Sequence, residues 1–318
     1  MNLTKTIKYA AIAGALITAS NANAGVSATA YLELNDLLVE IDTDGDFNPD
    51  AVNIGDFIDI VGGTRSTSTF ADYNGVSDSN LDSQPSATAA SDADLLCVGL
   101  SCGALGLTNN GQSVDAGNLV ASDAFYYSVA DAQVTGNAIG TGATGFTYAD
   151  AGIAAGNNEI AGANSNIAND ILTQFTLDML SDINVRFSAL MDYFVDAFIS
   201  PDIAADNTVG ATSTAKATFG IELVSFDTGA TVNIDGDTGV TFNDIAIDQP
   251  GLGDLIVRSG DDVDFTSGWA NVSAGTYQLT ITQTSTVQTT LVPAPTTLAM
   301  AAFGLLGLGL TARRRKQK

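Results

Sequence analysis

Apolar and polar residues alternate with a period of two in several separate stretches of this chain, the spacing that places one set of side chains on the buried face of a sheet. Between Ala28 and Ile41, Ala30, Leu32 and Leu34 alternate with Tyr31, Glu33 and Asn35. A break at Asn35-Asp36 is followed by a second apolar run from Leu37 to Ile41. Ile54 to Val61 is a further short strand candidate, closed by the turn Gly62-Gly63. The clearest signal begins at Leu172. Phe175, Leu177 and Met179 alternate with polar residues and, after Ser181-Asp182, so do Ile183, Val185, Phe187 and Ala189, which predicts a hairpin. Beyond it, Leu190, Met191, Phe194 and Phe198 also fit a helical stripe. Strand is the preferred reading, because β-patterned segments flank the run and Ser200-Pro201-Asp202 ends it.

Two more strands are predicted, one carrying Ala217, Phe219, Ile221 and Leu223, the other Tyr277, Leu279 and Ile281 after the turn Ser273-Ala274-Gly275. The threonines from Thr280 to Thr290 suit an edge strand leading into an exposed stalk. Residues 64–169 have a different texture, rich in Ala, Gly, Ser and Asn with few large apolar side chains, and read as long loops with short strands. Repeated alternation separated by Gly, Asp and Asn turns predicts an all-β fold, an antiparallel β-sandwich of jelly-roll-like form with long Ala/Gly/Asn-rich loops.

The two ends depart from this pattern. Residues 1–24 carry Lys5 and Lys8, an apolar core from Tyr9 to Ala19, and Asn21-Ala22-Asn23-Ala24, the three parts of a secretory signal peptide cleaved before Gly25. That core is short of the about 20 apolar residues a spanning helix needs. Residues 292–318 are also tripartite: Val292-Pro293-Ala294-Pro295, an apolar run from Leu298 to Ala312, and the basic cluster Arg313, Arg314, Arg315 and Lys316. Such a cluster is held on the cytoplasmic side while the body is exported, so the tail reads as a stop signal. Between the ends, 25–291 is long enough for a single acidic β-sandwich domain, with no charge shift or proline-rich linker to divide it.

The tail resembles the PEP-CTERM family of sorting domains, in which a Pro-Glu-Pro motif, a short transmembrane stretch and an arginine-rich end are recognised by an exosortase. Ala294 stands where that family usually has glutamate. The segment Val272 to Ile281 is similar to the last strand of many exosortase-associated proteins, and so is Phe187 to Asp202, ending in Phe-Ile-Ser-Pro-Asp. The resemblance implies transient anchoring in the inner membrane, processing by an exosortase-type enzyme, release to the surface or outside, and a sandwich-like body with no assigned chemistry.

Charge narrows the partners. Seven of the 11 basic residues lie in the two ends and all 36 acidic residues between them, leaving 25–291 with four basic residues and a net charge of −32. Nucleic acid and anionic lipid are repelled by such a surface, whereas divalent cations are attracted. Of the acids, 32 are Asp and four are Glu, a bias that suits turns rather than helices. Cys97 and Cys102 are the only cysteines, an even count that suggests a local disulfide in an exported protein.

No histidine occurs, which removes Ser-His-Asp and Cys-His catalysis and histidine metal sites. Phosphate-cradling glycine loops are absent too. Among 36 acids a carboxylate pair is unavoidable and identifies no glycosidase site, so the chain reads as no enzyme. Two loops carry oxygen donors at alternate positions, the arrangement a calcium ion exploits. They are Asp42, Asp44 and Asp46 in the first, and Asn233, Asp235, Asp237 and Asp244 in the second. A plain hairpin turn is the competing reading, since Asp-Gly favours one. Trp269, the single tryptophan, reads as packing before it reads as a sugar platform. These features point to an exported, non-enzymatic structural or adhesive protein of the cell surface or an extracellular polysaccharide matrix. The alternative is a calcium-dependent carbohydrate-binding module.

Overall fold

The structure, a computed structural model, describes residues 25–111, 126–154, 159–167, 175–199, 209–232, 234, 245–248 and 255–293. The signal segment, the second Asp loop (Asn233, Asp235, Asp237, Asp244), Ala294, Pro295 and the basic end lie outside the described residues.

Among the described residues sixteen strands follow one another: β1 (Gly25–Asp42), β2 (Ile58–Gly62), β3 (Arg65–Tyr73), β4 (Val76–Gln84), β5 (Ser91–Val98) and β6 (Tyr126–Asn137). Next come β7 (Gly142–Ala154), β8 (Glu159–Ile167), β9 (Phe175–Met179), β10 (Ile183–Ile199) and β11 (Val209–Ser225). The last are β12 (Thr231–Val232), β13 (Ile245–Asp248), β14 (Leu255–Thr266), β15 (Ala270–Val272) and β16 (Gly275–Pro293). They form a seven-stranded sheet in the order β14-β10-β1-β7-β6-β5, with β15 also on β10, and a nine-stranded sheet in the order β12-β11-β16-β8-β3-β4. In the second sheet β13 adds to β11, and β9 joins β16 to β2. The fold is all-β with sandwich-like sheets, as the alternation predicts, and among the described residues no helix is long and apolar enough to cross a membrane.

The centre of the first sheet is β1, and its sequence shows why it can be so long. Val26, Ala28, Ala30, Leu32 and Leu34 face the core on even numbers; Leu37, Val39 and Ile41 face it on odd ones. A bulge between Asn35 and Leu38 absorbs the extra residue and restores the apolar face. Asp36 adopts φ 54, a conformation Asp tolerates better than branched residues do. The break at Asn35-Asp36 is thus one strand with a bulge.

Three expectations need correction. The described residues of 64–169 hold six strands, β3 to β8, two of them 12 and 13 residues long. Their small side chains are not loop filler, for Ala71, Ala93, Ala130, Ala132, Ala149 and Ala151 are fully buried, and strands without bulk let the two sheets approach closely. The hairpin expected from Phe175 to Ala189 is no hairpin. β9 pairs with β16 and β2 in one sheet while β10 pairs with β1, β14 and β15 in the other. The chain crosses the sandwich at Leu180–Asp182, and the alternation is the same because Leu177, Met179, Ile183, Val185 and Phe187 reach one core from opposite walls. The Thr280–Thr290 segment is not at an edge, because β16 lies between β11 and β8.

Between the sheets runs a polar seam beside the apolar core. Gln283, 2% exposed, donates through Nε2 to Leu32 O at 2.7 Å across the sandwich, and the Thr147 and Ser285 hydroxyls meet at 2.8 Å. Arg65 on β3 donates to Ala89 O at 2.8 Å and to Gly136 O at 3.0 Å on β6, and burial lowers its pKa to about 10. Paired in this way, buried polar groups fix the register of one sheet on the other, since slippage would strand each of them without a partner.

Candidate functional site

The first Asp loop leaves the end of β1. Asp42 is fully buried; its Oδ1 accepts from the amides of Gly45 (2.8 Å) and Asp44 (3.2 Å), and its Oδ2 from the Phe47 amide (3.1 Å) and Asn184 Nδ2 (2.9 Å). Burial works to raise the Asp42 carboxyl, but these four donors outweigh it and hold it below its ordinary value. The alternate spacing continues the same device. Asp44 Oδ1 accepts from the Asp46 amide at 3.1 Å and Asp46 Oδ1 from the Asn48 amide at 2.8 Å, each side chain turning the backbone two residues on. Gly45 (φ 79) and Phe47 (φ 61) supply the left-handed positions the winding requires.

One carboxylate oxygen from each of Asp42, Asp44 and Asp46 lies within 4.8 Å of the other two, so the structure brings together the three residues singled out in the first loop. The Asp46 amide holds the Asp44 carboxyl down, yet the neighbouring charges of Asp46 and Asp50, together with burial, leave it above its usual value. Asp50 closes the loop by accepting from Thr43 N (2.7 Å) and Oγ1 (2.5 Å). Trp269 Nε1 donates to Phe47 O at 2.9 Å, and the Arg186 guanidinium lies 4.6 Å from the centre of the Trp269 ring while pairing with Glu40. Trp269 is therefore a clamp on the loop. A second acidic cluster, Asp192, Asp261 and Asp262, was not anticipated; it forms where a bulge in β14 folds the Asp262 amide onto Asp192 Oδ1 at 2.5 Å.

The outer face of the seven-stranded sheet carries a second, smaller core. Tyr31, Tyr127, Val129, Phe146, Tyr148 and Phe194 pack there, covered by Leu95, Cys97, Cys102, Leu105 and Leu107. Cys97 and Cys102 form a disulfide, which closes the start of this cover. For a loop of this length the bridge contributes about 2 kcal/mol in the chain-entropy account. Gly99 is needed at the crossing: at φ 127 its absent Cβ would stand 2.1 Å from Tyr126 O. Further along, the Asn110 amide donates to Asp131 Oδ2 at 2.9 Å and Asn110 Nδ2 to Asp92 Oδ2 at 2.7 Å, so the described part of the strap is pinned at both ends.

Beneath and beside that cover lie carboxyl groups. On three neighbouring strands Asp196, Thr29 and Asp150 stand in one row, Thr29 being paired with both. Both carboxyls are fully buried. Asp150 accepts from Thr29 Oγ1 (3.2 Å), Tyr127 OH (3.2 Å) and Tyr148 OH (2.9 Å). Burial raises Asp150 to about 6, with those hydroxyls holding it down from higher values. Burial and then the charge of Asp150 raise Asp196 to about 7, against a lowering by Thr29 alongside it. Thr29 has one hydroxyl proton and gives it to Asp150; its hydroxyl and amide lie close enough to Asp196 to lower it without meeting hydrogen-bond geometry, and among the described residues neither Asp196 oxygen meets a partner. Asp131, on the same face, is raised to about 7 by burial and by Asp92 and Asp94, the Asn110 amide opposing. Sequence reasoning missed this row, because polar residues in the alternate phase read as solvent-facing. The signal was present in Tyr31, Tyr127 and Tyr148, large aromatics in that same phase.

No protein-family profile and no curated protein matches the chain. Among solved structures, the crystal structure of the infectious bursal disease virus VP2 subviral particle aligns over 92% of this chain and 89% of its own at 13% identity. Its TM-score is 0.10, too low for that likeness to bear on fold or function.

Proposed function

We propose that the chain is an exported, non-enzymatic structural or adhesive protein of the bacterial surface or extracellular polysaccharide matrix, released by exosortase-type processing at its tail. The Cys97–Cys102 bridge carries this reading, since a disulfide built into the cover of a buried layer suits an oxidising compartment. The position of the Val292–Pro295 motif in the chain bears on the same reading. β16 pairs Val292 with Gly210 and Pro293 with Val209, so the described strand reaches into the Val292–Pro295 motif.

The outer face of the nine-stranded sheet offers a contact surface of neutral hydroxyls. Thr212 pairs with Thr290 and Thr218 with Thr284, with Gln288 exposed in the same array. Hydroxyl and amide groups of this kind suit a polysaccharide better than an ionic partner. Replacing Pro293 and Pro295 by alanine is expected to leave the protein in the membrane fraction with Arg313–Lys318 still attached. Release at the level of the unaltered chain would refute exosortase-type processing.

A second reading, a calcium-dependent carbohydrate-binding module, draws support from the convergence of Asp42, Asp44 and Asp46. Titration calorimetry with calcium should lose the heat of this site in Asp44→Ala. Identical isotherms for the two proteins would remove the reading.

A further inference from the structure

The buried row on the outer face of the seven-stranded sheet holds more oxygen atoms than the described residues satisfy. Both Asp196 oxygens are buried without a hydrogen-bond partner, and so is Ser27 Oγ. Ser27 is fully buried and lies two residues before Thr29 on β1, hence on the same face, opposite Phe198 and diagonal to Asp196. An ionised Asp196 here needs donors or a cation beyond the Thr29 groups beside it, and a neutral one has an O–H that needs an acceptor; among the described residues neither stands in hydrogen-bonding position. Asp150 stands one strand beyond Thr29, its oxygens taken by three hydroxyls but with lone pairs to spare. No described basic side chain answers the two carboxyls: Arg65 is bound to Ala89 O and Gly136 O, Arg186 to Glu40, and Lys216 is exposed on the other sheet.

We propose that Asp196 and Asp150, with Ser27 and Thr29, hold a calcium-class dication in the covered layer of the seven-stranded sheet. The donors are all oxygen, which excludes a preference for thiolate- or imidazole-seeking metals. Two carboxylates neutralise a dication where water is scarce and leave a monovalent ion overcompensated. Calcium accepts irregular oxygen sets of six to eight, whereas magnesium demands near-octahedral geometry and retains its waters. Two Asp196 oxygens, one from Asp150 and the two hydroxyls give about five donors, and water completes the shell. Bound there, the ion ties β10, β1 and β7 together beneath the tyrosines and would stabilise the layer that the disulfide strap covers. This site is separate from the Asp42 loop and stands whether or not the export reading does.

The test uses two reporters already in the protein. Tyr127 and Tyr148 touch Asp150, while Trp269 touches the Asp42 loop. The purified protein is stripped with chelator and loaded with terbium as a calcium substitute. Excitation in the tyrosine band is expected to give sensitised terbium emission that calcium displaces, that Asp44→Ala retains, and that Asp196→Asn loses. Without metal, Asp196→Asn should unfold no lower than the parent, since it removes an uncompensated buried carboxyl, but calcium should no longer raise its unfolding temperature. Tyrosine-sensitised emission and calcium stabilisation unchanged in Asp196→Asn would overturn the proposal. Should that variant fail to fold, crystals of the unaltered protein soaked in terbium decide: an anomalous peak beside Asp196 is expected, and a water there overturns it.

Discussion

Raising the pH of the chelator-treated protein from about 5 to about 8 is expected to lower its unfolding temperature by roughly 10 °C, the order implied by linkage through three buried carboxyls. Asp131, Asp150 and Asp196 have folded-state pKa values raised to about 7, about 6 and about 7. In the unfolded chain each returns to about 3.9. Over the interval between, the native state binds more protons than the unfolded one, so stability falls as pH rises. Their contribution is complete below about pH 4 and gone above about pH 7. Asp42 and Asp82 act in the opposite sense, being held low in the folded state, so their contribution is lost on acidification below about pH 4. Stability should therefore peak between these limits. Thermal melts across the range read it directly, with Asp131→Asn flattening part of the slope. A melt that is level or rises from pH 5 to pH 8 would show that these carboxyls are not buried as described.

Phe187→Ala should cost about 4 kcal/mol and about 10 °C in unfolding temperature. Phe187 is 2% exposed near the start of β10, paired with Val39, with Ser267 bonded to its amide and carbonyl. A strand held on both edges cannot collapse into the hole, which is why the full cavity cost applies. Leu81→Ala, at a side chain 69% exposed on β4, should change stability by less than about 0.5 kcal/mol. Denaturant unfolding of the two variants makes the comparison. Equal losses would contradict the placement of the core.

Much of this architecture was legible from the alternation of apolar residues, because each strand that borders the main core must present one face to it. β1 was legible from Ala28 to Ile41, short of its start at Gly25, and its bulge showed only as a break at Asn35-Asp36. Leu190 to Phe198 looked half helical for a physical reason: β10 is covered on both faces, Met191, Val195 and Ala197 inward and Phe194, Asp196 and Phe198 outward. A strand with two buried faces loses its period. Which sheet a strand joins was not legible, as β9 and β10 show, because opposite walls of one core carry identical patterns. The Ala- and Gly-rich region misled because burial there depends on close approach of the sheets and not on side-chain size. As for the candidate sites, the Asp42 loop and the Cys97–Cys102 pair were visible as local spacings. Asp150 and Asp196, 46 residues apart, meet only through their shared neighbour Thr29, and no local pattern announces them.

The delivery of this acidic sandwich beyond the inner membrane is the claim on which the functional reading turns, and intact-mass spectrometry of the protein recovered from cells and medium tests it most directly. The account predicts an extracellular form that begins at Gly25, lacks Leu298–Lys318 and carries the Cys97–Cys102 bridge. A full-length chain from Met1 to Lys318, reduced and dissolved in the cytosol, would contradict it.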